Sequence, residues 1–329
     1  MDHFPQIKRD PLLTSEVFEE QEKFFLNRVL NNKKKEDAII DSSKDLATRK
    51  RISRGQVTDL MEYTILSYSA GKNIDDVKEI FLSCLDSYCQ HKTVFPDNLM
   101  LYWEQDSYQY YLWFFSLVVM TGQTESLPEL IRWYSPAPDG EGEDPLLYAL
   151  MGRLGILGLS PSTKLEFPKS YGALYEAILG DSSRPKEERQ VYVKQYLKSW
   201  YQGMEDCYWY GRHKGRFPTF FGYWAFEAGL VTLLYDLDDS SYRDMKYYPK
   251  DLVDHARQQG YDKLLDPALM TDQQRHDILL PGAVTPYTAR WKSNLLGDEI
   301  VLEKGQTLPG PQHSDLNPNH LHFWISFRD

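Results

Sequence analysis

The chain has 329 residues and carries 37 lysines and arginines against 48 aspartates and glutamates, a formal net charge of −11 at pH 7. That length can bury a full core and suggests one to three domains. The acidic balance argues against nonspecific DNA or RNA binding and favours a cationic partner, or simply solubility.

Three cysteines, Cys84, Cys89 and Cys207, form no disulfide framework and point to a reducing compartment. The spacing of Cys84 and Cys89 is not one that zinc sites use, so both read as packing residues. The opening MDHFPQIKRD lacks the apolar core of a signal peptide. The most apolar run, Tyr110 to Met120, is too short for a membrane span. A cytoplasmic chain without membrane contact is expected.

Helical signals follow in order. A first helix begins near Leu12, with Thr14 and Ser15 at its start. The run Lys33-Lys34-Lys35 reads as solvated surface. Asp41 to Ala70 is helical with a turn-like interruption around Gly55. Ser69-Ala70-Gly71-Lys72-Asn73 stops it, and Asn73 or Asp75 caps the next helix, which predicts an antiparallel pair over Asp59 to Gln90. Tyr102 to Met120 is an apolar helix ended by Thr121-Gly122. Glu125 to Tyr134 is short and helical. The Pro/Gly loop Ser135 to Asp144, bearing Asp139, Glu141, Glu143 and Asp144, is expected to be exposed. Pro145 to Ile156, Ser170 to Leu179 and Lys186 to Tyr201 continue the helical pattern.

The densest stretch runs from Tyr208 to Asp254. A helix is expected after Pro218, since proline suits a first turn. Trp224, Ala228, Val231 and Tyr235 fall on one face, and Glu227 lies within the apolar zone. A buried carboxylate needs a partner, and Arg212, His213, Arg216 and Arg243 are nearest in sequence. Glu227 is then either a structural tie or a catalytic carboxylate with a raised pKa. From Glu227 to Asp254 seven acids face three bases, a local balance of −4. Tyr235, Tyr242, Tyr247 and Tyr248 are interleaved with them. Such tyrosines either grip a basic partner or pack inward beneath a capped loop. A helix opened by Pro249 follows.

Beyond Gly260 a linker with a short helix leads to β-leaning residues from Val284. Asn294 to Asp298 can turn a hairpin, and His320 to Phe327 alternates as a strand does. The appendage is too small to be very stable alone and should lean on the helical body. His320 and His322 share a strand face near His313 and Asp315, a spacing that metal ligands use, but no cysteine joins them and no metal or other cofactor is expected. No phosphate-binding loop, dinucleotide fingerprint, HExxH or G-x-S-x-G appears. The fold class expected is mainly α, with helical hairpins packed into an array and a small C-terminal β appendage.

Several motifs carry a family resemblance. Tyr208-Trp209-Tyr210 with His213, Gly222-Tyr223-Trp224-Ala225-Phe226-Glu227-Ala228, Asp238-Asp239-Ser240-Ser241-Tyr242-Arg243-Asp244 and Tyr247-Tyr248-Pro249-Lys250-Asp251-Leu252 resemble the C-terminal module of PoNi-type immunity proteins, bacterial antitoxins that neutralise PoNe-type DNase effectors. Arg9-Asp10, Ser67-Tyr68-Ser69-Ala70-Gly71 before Ile74-Asp75-Asp76-Val77, and Leu112-Trp113-Phe114-Phe115-Ser116-Leu117 resemble that family's first module. The resemblance implies a non-catalytic binding protein with helical modules at 1–135 and 136–260, followed by a tail at 261–329 that departs from the pattern. It implies a cognate toxin as partner, a basic nuclease domain occluded in its active region, with no direct contact to nucleic acid; a homodimer stays open. Asp238, Asp239, Tyr242 and Asp244 are the expected toxin-facing residues, with the acidic loop at Asp139 to Asp144 as a second candidate. Trp209, His213, Tyr223, Trp224, Glu227, Arg243, Tyr248 and Pro249 are the expected structural motif. Two alternatives remain: an α-helical hydrolase using Glu227 and Asp238 as an acid–base pair, and a generic helical adaptor.

Overall fold

Capping residues set the two longest helices. Asp45 accepts from the Thr48 amide at the start of α4 (Leu46–Ser69), and Asn73 accepts from the Asp76 amide at the start of α5 (Ile74–Val94). In the computed structural model, residues 4–30, 33–135, 142–158, 160–179, 183–215, 219–265, 270–310 and 320–328 are described. The chain divides into two compact units, one made of Met1–Phe95 and Cys207–Trp224, the other of Pro96–Asp206 and Ala225–Asp329.

The first unit holds α1 (Phe4–Ile7), α2 (Ser15–Phe25, capped by Thr14) and α3 (Lys33–Ile40) beside the α4–α5 hairpin. The hairpin was expected from the stop signal at Gly71, whose φ is +88°. The interruption expected at Gly55 is absent: α4 runs through it, because nothing crowds the position and the apolar residues on both sides keep helical spacing.

The second unit is built on α6 (Gln105–Met120), in which every residue from Ser107 to Met120 is buried. Around it lie α7 (Leu127–Ile131), α8 (Pro145–Arg153), α9 (Pro168–Ile178), α10 (Lys186–Gly203), α11 (Phe226–Leu234) and α12 (Lys250–Gln259). A parallel pair joins β1 (Met100–Leu101) to β2 (Tyr134–Ser135). The C-terminal sheet has the order β3-β4-β7-β5-β6, from β3 (Ile156–Leu157), β4 (His276–Leu279), β5 (Ala289–Ser293), β6 (Glu299–Leu302) and β7 (Trp324–Phe327). All its pairings are antiparallel except β3 with β4.

The expected hairpin at 294–298 joins β5 to β6, and the appendage does lean on helices: Arg132 donates to the Ser293 carbonyl at 2.9 Å, and Lys292 pairs with Glu129 at 2.5 Å. β4 was not foreseen in the stretch read as a linker. Its burial alternates over only four residues, too few to stand out from turn signals on both sides. β7 does not alternate as expected, because its first three residues are all buried.

The helix expected after Pro218 begins only at Phe226. Residues 219–225 run without helix. Gly222 holds φ +113°, and the Phe221 carbonyl and Trp224 indole both bond Ser69 Oγ, so the backbone is irregular where helical spacing was read. Among the described residues no helix is long and apolar enough to cross a membrane.

Candidate functional site

The loop from Asp236 to Tyr248 in the second unit is held by a buried ion-pair hub. Asp239 is only 3% exposed. Its carboxylate accepts from Arg257 at 3.0 Å, from the Tyr248 hydroxyl at 3.0 Å and from Arg243 at 3.3 Å. Arg243 also reaches Asp254 at 2.7 Å. Tyr242 shares a 3.0 Å hydrogen bond with Thr232, and its ring packs edge-on against Tyr248. Burial pushes both hydroxyls above the usual tyrosine range. Two non-glycine residues bracket the loop at positive φ, Asp236 at 47° and Tyr247 at 76°, a conformation that surrounding contacts must impose. The Tyr247 carbonyl accepts from the Ala225 amide at 2.9 Å, and its ring lies against Trp200.

The loop acids therefore divide. Asp238 and Asp244 are exposed, whereas Asp239 and Tyr242, expected on the surface, are buried as its support. Charge decides this: an aspartate flanked by two arginines can be buried, and the tyrosines follow it inward. Asp238 bonds the Ser240 amide and hydroxyl, which hold its carboxyl below the usual range. Asp244 pairs with Lys250 at 2.8 Å and is lowered by it.

Glu227 is fully buried, and among the described residues its donors are neutral groups rather than Arg212, His213 or Arg243; Arg216, also named from sequence, lies outside those residues. Oε1 accepts from Tyr196 at 2.6 Å and from the Trp200 indole at 2.6 Å; Oε2 accepts from Gln109 at 3.1 Å. The Gln109 carbonyl in turn accepts from Tyr171 at 2.7 Å. Burial raises the Glu227 pKa, and these neutral donors offset part of that rise. The carboxyl ties α6, α10 and α11 through residues up to 118 positions apart, a relation no local spacing reveals. Asp238, its partner in the hydrolase alternative, stands exposed in its own turn.

In the first unit the remaining motif residues meet the N-terminal cues. The Tyr223 amide donates to Asp10 at 3.0 Å, the Trp224 indole donates to Ser69 at 2.8 Å, and Ser69 donates to the Phe221 carbonyl at 2.8 Å. Arg9 caps the end of α4 through the carbonyls of Tyr68 and Lys72. His213 Nδ1 lies 2.8 Å from the Tyr223 hydroxyl, and the Trp209 ring packs on Tyr223. His213 and Trp209 are thus structural partners of Tyr223. Pro249 is buried at the N-terminus of α12.

The acidic loop expected to be exposed is not so at its end. Glu143 and Asp144 are buried, and Asp139 and Glu141 lie outside the described residues. Asp144 caps α8, accepting from the Leu146 and Leu147 amides, the Tyr108 hydroxyl and the Glu166 amide. Glu143 accepts from Tyr134, and burial pushes its pKa up to about 8. A cap must face the backbone it serves, which turns the Asp144 carboxyl inward, while Glu143 is turned in toward the buried Tyr134 hydroxyl.

Among the described residues no group of three or more His, Cys, Asp or Glu is placed to hold a metal ion. His313 and Asp315 lie outside those residues, and His322 Nε2 is 3.0 Å from Ser293 Oγ.

Two family models match the chain. The model described as PoNe immunity protein (PoNi), N-terminal, matches residues 9–132. The model described as PoNe immunity proteins (PoNi), C-terminal, matches residues 142–252. Among solved structures the chain is similar to the crystal structure of protein PA2201 from Pseudomonas aeruginosa, at 16% identity over 75% of this chain and 90% of that one, with a TM-score of 0.58. That likeness is one of fold. No curated protein matches the chain.

Proposed function

The chain belongs to the PoNi family of PoNe immunity proteins, and on that premise we propose that it binds and neutralises a cognate PoNe-type nuclease toxin in the cytoplasm, performing no reaction itself. The observation that carries this reading is the pair of family matches, in the order N-terminal then C-terminal, over residues 9–132 and 142–252. Charge supports it. A nuclease that grips phosphate presents a basic surface, and a chain of net charge −11 is drawn to such a surface.

Asp238 and Asp244 are the proposed contacts. Both are exposed, and the strained, ion-paired loop beneath them fixes their positions before binding. Asp239 and Tyr242 then act as supports for that surface. The reading is tested by titrating the purified chain against PoNe-type nuclease domains, beginning with any that the source genome encodes beside it. Stoichiometric loss of DNA cleavage is expected, together with rescue of cells that express the toxin. A chain that neither binds any such domain nor protects those cells overturns the reading.

A further inference from the structure

The loop that carries Asp238 and Asp244 is bounded by two left-handed residues, and they are unlike. Asp236, at φ 47°, is an aspartate, a residue type that adopts this conformation more readily than most, and its side chain is 90% exposed. Tyr247, at φ 76°, is a bulky aromatic, for which the same conformation is an outlier. A glycine would take it without strain. The contacts of Tyr247 show what imposes it. Two consecutive residues of α10 clasp its ring, Trp200 with ring centroids 4.9 Å apart and Tyr201 stacked at 5.8 Å. Lys246 Nζ lies 4.8 Å from the centroid of the same ring. The Tyr247 carbonyl accepts at 2.9 Å from the amide of Ala225, the residue just before α11. Trp200 is itself fixed, since its indole donates to the buried Glu227 carboxylate at 2.6 Å. The next residue, Tyr248, reaches the Asp239 carboxylate instead, at 3.0 Å.

We propose that Tyr247 is a positioning residue for toxin recognition: clamped between α10 and the start of α11, it sets the path of the loop so that Asp238 and Asp244 stand in their binding arrangement before the toxin arrives. This rests on the immunity reading above and adds the residue that enforces it. Strain that surrounding packing holds in place marks functional positions. Here the holding runs from the interior outward. Glu227 orients Trp200, Trp200 and Tyr201 orient the ring of Tyr247, and the backbone of Tyr247 directs the strip that carries Asp244, three residues earlier. Asp244 is joined across this turn to Lys250 at 2.8 Å. The Asp239 hub holds the middle of the loop, and Tyr247 holds its end. A loop ordered in advance has less freedom to lose on binding, so the same contacts give a tighter complex.

The test uses the full chain and PoNe-type nuclease domains. Tyr247→Gly accepts the positive φ and removes the ring, while Asp238 and Asp244 stay in the chain. In the free variant the Arg243 and Met245 amides, bonded within the loop to the carbonyls of Asp239 and Tyr242, should lose most of their protection from deuterium exchange. Toxin Kd should rise about fivefold, as a loop ordered in roughly one molecule in five requires. Tyr247→Phe restores the ring and should recover both the protection and the affinity. Should Tyr247→Gly not fold, Tyr247→Asn tests the same point, since asparagine also tolerates positive φ. A purely structural residue would lower the melting temperature and leave loop exchange and toxin Kd where they were. Unchanged loop exchange or an unchanged Kd in a folded variant therefore overturns the inference and leaves the immunity reading standing. So does a Tyr247→Phe variant that binds as weakly as Tyr247→Gly, because the phenol would then be a contact in its own right. A parent chain that inhibits no such nuclease overturns both.

Discussion

The Glu227 carboxylate accepts the Trp200 indole N–H at 2.6 Å in the interior of the second unit. Tyr196 and Gln109 complete its set of donors. Glu227→Ala would leave three buried donors without an acceptor, at a cost on the order of 3 kcal/mol or more. Glu227→Gln keeps an acceptor for Tyr196 and Trp200 and should cost less. Denaturant unfolding of both variants checks this order; a fully stable Ala variant would contradict it.

Acidity should stabilise the chain through Glu143. Its pKa rises from the ordinary glutamate range when unfolded to about 8 in the fold, chiefly by burial. A group raised on folding contributes stability that is present in full below the unfolded pKa and lost as pH rises through the folded one. The window therefore runs from about pH 4.5 to about pH 8. Glu143→Gln can still accept from Tyr134 and removes this titration, so its melting temperature relative to the parent should climb from pH 5 to pH 8. A constant difference across that range would show that the carboxyl is not titrating there.

Support and contact residues of the acidic loop can be separated by mutation. Asp239→Ala leaves Arg243, Arg257 and Tyr248 without their shared acceptor. Both arginines are about one-third exposed, so the loss should be about 2 kcal/mol, below the range for a fully buried pair. Asp238→Lys with Asp244→Lys removes only the exposed contacts to Ser240 and Lys250 and should leave the chain folded with a modest drop in melting temperature, while slowing toxin association and flattening its dependence on salt. Unaltered association kinetics in the folded double variant would remove this surface from the contact.

Gly222 should tolerate no side chain. At φ +113° an added Cβ would lie 1.9 Å from Ser69 Oγ, the atom that bonds both Phe221 and Trp224. Gly222→Ala combines backbone strain with a clash against a committed hydroxyl and should cost roughly 2 kcal/mol or more. Gly55→Ala, in open space within α4, should be neutral or stabilising. Thermal melts of the two variants give the comparison directly.

Local signals in the sequence carried most of the helices. Asn73, Gly71, Thr14 and Pro249 mark ends that the structure keeps within a few residues. The mainly α class with a small C-terminal sheet followed from the change of texture after Gly260. Relations between distant residues were not legible. Gln109 and Tyr196 lie 118 and 31 positions from the carboxyl they serve, so the nearest cations were named in their place. Burial of Asp239 depended on Arg257, 18 residues on, and a run of acids read alone suggests a surface. The irregular path through Gly222 was hidden because Trp224, Ala228 and Val231 keep helical spacing whether or not the first of them is helical.

The first unit takes its last stretch, Cys207–Trp224, from far along the chain. On a ribosome moving at about 5–20 residues per second, Met1–Phe95 would wait several seconds to tens of seconds for that stretch to emerge. Until then the places of Trp209, Phe220, Phe221 and Trp224 stay unfilled, and the nascent chain shows apolar ground to proteases and chaperones. A cell that must be protected as soon as a toxin arrives would need a standing stock of finished protein, since a half-made chain has no completed first unit to offer.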